Sequence, residues 1–166
     1  MSATDNETRS SRYEQESDRI RQFFIRPFFL SVTIGIPFCM YKFLCGIAAV
    51  RIGSPDSSLL VAAGWLVVAW AVVDLSMNAG RAVLDIAAKK APFEYCMIAQ
   101  LGQLLRMPMV FLALDTLLSF SIICFMLWSG WIATLTPAES YLWYGATTLN
   151  LISLSVVSLY NEIRKA

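Results

Sequence analysis

Four long apolar runs, each bounded by turn residues or charges, set the pattern of this chain. They cover residues 27–50, 59–77, 109–132 and 141–160. As helices such runs are long enough to cross roughly 30 Å of hydrocarbon. The pattern predicts an all-α integral membrane protein with four transmembrane helices. Residues 1–22 read as a polar arm, residues 23–166 as one transmembrane domain, and residues 78–108 as a connector between spans two and three.

The second run changes character as it ends. Asp74, Asn78, Arg81 and Asp85 follow at i, i+4, i+7 and i+11, so they share one narrow helical face that Trp70 extends upward. A polar stripe that starts inside a bilayer has to face protein or water, because facing lipid is costly. The stripe is therefore expected to be the centre of packing. Nothing breaks the helix before Pro92, so it is expected to continue to about Lys89.

Elsewhere the runs carry fewer polar marks. Pro37 should kink the first span, since its ring removes a helical hydrogen bond. Lys42, a turn later, is expected to snorkel to the nearer surface or to find an acidic partner there. Gly53, Ser54, Pro55 and Asp56 form a turn, and Ser57 or Asp56 caps the next helix. In the connector, Phe93, Met97, Leu101, Leu104 and Leu105 recur at helical spacing, predicting an amphipathic helix of about four turns over 93–106. Asp115 shares a face with Ser119 in the third run. Asn150, in the fourth, reads as a hydrogen-bonding link between helices. In the arm, Ser11 and Glu14 have the spacing of a capping box.

Charge then orients the pattern. Arg9, Arg12, Arg19, Arg21, Arg26, Arg81, Lys89, Lys90, Arg106, Arg164 and Lys165 fall on one side of the membrane, against Arg51 and the intramembrane Lys42. The positive-inside rule makes that side, with both termini, the cytoplasmic one. A cytoplasmic inner membrane and a multi-pass topology are the expected location. The connector helix then lies on the cytoplasmic side.

Composition mainly excludes. With a net charge of +1 there is no basic face for nucleic acid. Histidine is absent, which removes imidazole-ligated haem and zinc and histidine-based catalytic triads and dyads. Cys39, Cys45, Cys96 and Cys124 contain no Cys-x-x-Cys pair and read as buried apolar residues, with neither disulfides nor metal expected. Asp115 lacks the Gly-x-Gly-Asp context of intramembrane aspartyl proteases. The Asp-Gly-x-x-Ala-Arg pattern of CDP-alcohol phosphotransferases is missing too. No catalytic motif and no cofactor-binding motif is found, so an enzyme is not expected.

What remains is a polar cluster of Asp74, Asn78, Arg81, Asp85, Asp115, Ser119 and Asn150. Arg81 is expected to bridge Asp74, Asp115 or Asp85 and so fix the pairing of spans two and three. Lys89, Lys90 and Arg106 are the candidate docking surface on the cytoplasmic side. The function expected is a non-catalytic structural, assembly or regulatory subunit of a membrane complex. Its partners would be the lipid bilayer and either another membrane protein or copies of itself. The alternative is a cation- or proton-translocating oligomer using Asp74 and Asp115.

Overall fold

A computed structural model of the chain describes residues 26–54, 57–89 and 91–163. The arm with Ser11 and Glu14, the turn residues Pro55 and Asp56, the docking candidate Lys90 and the tail cations Arg164 and Lys165 lie outside the described residues. Among the described residues there are five α-helices, a short 3-10 helix (Trp131–Thr134) and no strand: α1 (Pro27–Gly53), α2 (Ser58–Ile86), α3 (Met97–Leu104), α4 (Pro108–Trp128) and α5 (Pro137–Ile163). All but the short α3 are long and apolar enough to span a membrane, as in a multi-pass helical membrane protein.

The helix bounds follow from local chemistry. Pro37 has no N–H to offer the carbonyl four residues back. The chain answers with a π-helical turn over Ser31–Gly35, in which the Ile36 N–H donates to the Ser31 carbonyl. The disturbance expected from Pro37 is thus a widened turn just ahead of it. Ser57 caps α2, its hydroxyl accepting from the Leu60 N–H at 3.3 Å. Ala88 in the left-handed region (φ 54°) and a Lys89 N–H bond to the Leu84 carbonyl end α2, short of the expected Lys89. Thr136 and Glu139 form a capping box at the start of α5. Thr136 N–H donates to Glu139 Oε2 at 2.7 Å, and Glu139 N–H donates to Thr136 Oγ1 at 3.4 Å. This start lies four residues ahead of the expected position.

The connector departs most from expectation. The helix is two turns long, and residues 91–96 are not helical. Groups that a longer helix would pair with one another are paired elsewhere. Arg81 of α2 donates to the Phe93 carbonyl, and Asp74 of α2 accepts from the Met97 N–H at 2.8 Å. Asn78 donates to the Tyr95 carbonyl at 2.8 Å, and the Cys96 sulfur accepts from the Ala99 N–H at 3.4 Å. Tertiary partners therefore outbid the helical ladder over its first turn.

The hub of the fold is α1, not the polar stripe of α2. Its apolar window is 44% buried, against 17–22% for α2, α4 and α5. Helices α2, α4 and α5 each pack on α1, while α4 and α5 scarcely touch one another. The closest crossing is at Gly46 and Gly64. A Cβ added at Gly46 would lie 2.8 Å from the Gly64 carbonyl oxygen, and one at Gly64 would lie 2.8 Å from the Gly46 carbonyl oxygen. Only the missing side chains let these backbones meet. The apolar core joins Phe38, Tyr41, Leu44 and Ala48 of α1 to Met126, Trp143 and Ala146. Outside, large apolar side chains such as Leu59, Leu66, Leu117 and Trp128 are exposed. Inside lie Lys42, Asp74, Asn78, Asp115 and Ser119. That inversion of the soluble pattern is what a lipid solvent rewards.

Candidate functional site

Lys42 occupies the middle of the bundle. Its ammonium donates to Asp74 Oδ2 of α2 at 2.9 Å and to Asp115 Oδ1 of α4 at 2.6 Å. It also lies 4.4 Å from the centroid of the Trp70 ring, within cation–π range. All three charged residues are buried, with exposures of 1%, 0% and 5%. Helical side chains lean towards their own N-terminus. Lys42 therefore reaches back along α1 to the depth of the two aspartates, whereas snorkelling to the surface after Val50 would need the opposite lean. The role expected of Arg81 belongs to Lys42.

The other stripe residues serve the connector and the start of α1. Arg81 donates to the Phe93 carbonyl, lies 3.6 Å from the Glu94 carboxylate and stacks 3.8 Å from the Tyr95 ring centroid. It bridges none of the three aspartates. Asp85 accepts from the Phe28 N–H at 3.3 Å, placing a carboxylate at the N-terminus of α1, where unpaired N–H groups and the helix dipole favour it. Asp74 plays two parts at once: Oδ2 faces Lys42 and Oδ1 holds the first N–H of α3.

Ser119 is fully buried beside Asp115, yet its hydroxyl donates to the Asp115 carbonyl of its own helix at 2.9 Å. Asn150 makes no side-chain hydrogen bond among the described residues, so it does not link helices as expected. That work falls to Tyr41, which donates to Thr147 at 2.9 Å, and to Thr33, which donates to Ser153 at 3.2 Å. Lys89 and Arg106 are both exposed. The cysteines divide as well. Cys39 and Cys96 are buried thiols and Cys45 is half-buried, but Cys124 is exposed on α4, against expectation.

Between α4 and α5, where the two helices stand apart, a cleft of about 770 Å³ opens onto α1. Its walls are apolar, with Phe38, Phe120, Ile123, Trp143 and Leu154 among them. Lys42, Asp115, Asn78 and Asn150 also line it. Among the described residues no donor reaches the second carboxylate oxygen of Asp115. The buried amide oxygen of Asn78 has no partner either. Two carboxylates therefore share one ammonium, leaving an excess negative charge when all three are ionised. The described residues contain no group of three histidine, cysteine, aspartate or glutamate side chains placed to hold a metal ion.

No protein-family model, curated protein or solved structure matches the chain.

Proposed function

We propose that this protein is a non-catalytic subunit of a membrane complex, with a structural, assembly or regulatory role, and that its cleft receives a membrane-spanning helix of a partner. The observation that carries this reading is the incomplete bundle: α4 and α5 both pack on α1 and leave the space between them unfilled. Interiors close to crystal-like density, and the side chains around a gap of this size lack contacts on the side that faces it. A helix laid in the gap would restore them. In this reading the membrane is a cytoplasmic inner one, with both termini in the cytoplasm as the positive-inside rule expects from the lysines and arginines. In that topology Lys89, Lys90 and Arg106 belong to the cytoplasmic connector by sequence and add a surface for protein or for anionic lipid.

The test is isolation of the tagged protein from its native membrane, followed by native mass spectrometry, in parallel with Thr116→Trp, which fills the cleft. A stoichiometric partner that the variant loses supports the reading. Recovery of the same complex from both proteins, or of neither, contradicts it.

A second reading is favoured by the charge imbalance. A proton or a small cation at Asp74 and Asp115 would neutralise the cluster, as in a translocating oligomer. Towards the Trp143 end of the cleft, Tyr41 and Thr147 are the remaining polar pair, which is a sparse route for an ion. Flux of protons or Na⁺ into liposomes that Asp115→Asn abolishes would establish this reading over the first.

A further inference from the structure

We infer that the occupant of the cleft carries one basic side chain at the depth of Asp115, and that it is not a second copy of this chain. The inference rests on the helix-docking reading and gives the partner its chemistry.

The first argument is length. Cleft-lining positions run from Leu112 to Leu127 on α4 and from Trp143 to Val157 on α5, a stretch of about 21 Å at 1.5 Å per residue. The opening therefore follows most of a membrane-spanning helix. The second argument is charge. Lys42 balances one of the two buried aspartates, and Asp115, which accepts from Lys42 through one oxygen only, lines the cleft. A buried charge without a partner is expensive in hydrocarbon. A lysine or arginine on the incoming helix would complete a neutral set of two acids and two bases. The polar amide of Asn150 on α5 lines the same cleft, a further group that a basic side chain could meet there.

The cations of the described helices do not meet this need. Lys42 is committed to both aspartates. Arg51 is held by both carboxylate oxygens of Glu139 and by the Thr134 carbonyl at the far end of α1. Arg81 is held by the connector. A second copy would bring another excess negative charge and, among its described residues, no free cation at this depth.

The experiment uses synthetic leucine–alanine peptides of about 23 residues, unlabelled by sequence except for one guest position. The guest is lysine, leucine or glutamate and is scanned along the helix. Energy transfer is measured between donor-labelled protein and acceptor-labelled peptide in phosphatidylcholine vesicles. The expected result is association about tenfold tighter for lysine than for leucine, a difference of about 1.4 kcal/mol, at one guest position only. Glutamate there should bind less than leucine, and Asp115→Asn should erase the lysine preference. Equal binding of lysine and leucine peptides, both blocked by Thr116→Trp, would overturn the inference and leave helix docking intact. A lysine preference that survives in Asp115→Asn would overturn it by placing the cation elsewhere. Absence of binding by every peptide would overturn both this inference and the docking reading.

Discussion

Lys42 and Asp115, 73 residues apart in sequence, meet at 2.6 Å inside the bundle. That bond joins α1 to α4 at the point where Asp74 brings in α2. It ties the hub helix to two of its three neighbours through one ammonium. The third neighbour, α5, is held by hydroxyl pairs and by the Arg51–Glu139 bridge at its start. A single buried cation thus organises one side of the fold, and the cleft lies on the other side of the same charge.

The crossing of α1 and α2 depends on two absent side chains. Gly64→Val should push the helices apart, because its Cβ alone would meet the backbone of Gly46 and Val50 at 2.8 Å. An overpacked core costs about 1–3 kcal/mol, and a backbone contact leaves less room for relief. The melting temperature in detergent should fall clearly. An unchanged melting point would show that the crossing is looser than described.

The connector is fastened by Arg81, so removing the guanidinium should free it selectively. In Arg81→Met, amides of residues 93–97 should exchange hydrogen faster while those of α1 hold their protection. Equal loss of protection in α1 and the connector would mean that Arg81 supports the whole bundle.

Burial pushes the Cys96 thiol up to about 12 from its ordinary value near 9. The thiol is therefore neutral in the folded protein at pH 8 and should alkylate far more slowly there than the same residue in the unfolded chain. The sign for stability follows. Between pH 9 and pH 12 the unfolded chain ionises Cys96 and the folded one does not, so stability falls as pH rises through that window. Cys96→Ala should shallow the alkaline loss. An identical alkaline slope in the variant would remove Cys96 as a contributor.

Much of the architecture was legible in hydrophobic runs, because a 20-residue apolar stretch has few alternatives to a spanning helix. The polar stripe of α2 was legible for the same reason, and Asp74, Asn78, Arg81 and Asp85 are all engaged in tertiary contacts. Their partners were not legible. Arg81 seemed the natural match for the aspartates because it shares their helix, whereas the actual match comes from α1. The available signal was arithmetic: one lysine and two aspartates within the apolar runs, with the lysine side chain leaning back towards Pro27. The shortening of the connector helix could not be read from periodicity, since it arises from α2 side chains that take up its backbone groups. Asn150 misled for a related reason: a polar residue at mid-span signals an interior, and the interior it faces is a cleft.

The most direct test of the charge account is a comparison of Lys42→Met, Asp115→Asn and the double variant by thermal and denaturant unfolding. Lys42→Met leaves two buried carboxylates and no cation, a loss of the kind that costs about 3–5 kcal/mol. Asp115→Asn leaves a balanced Lys42–Asp74 pair and should be much milder. Adding Asp115→Asn to Lys42→Met should recover part of the loss by removing one of the stranded charges. If Asp115→Asn proves as damaging as Lys42→Met, with no recovery in the double variant, the excess charge on the cleft does not exist and the account fails.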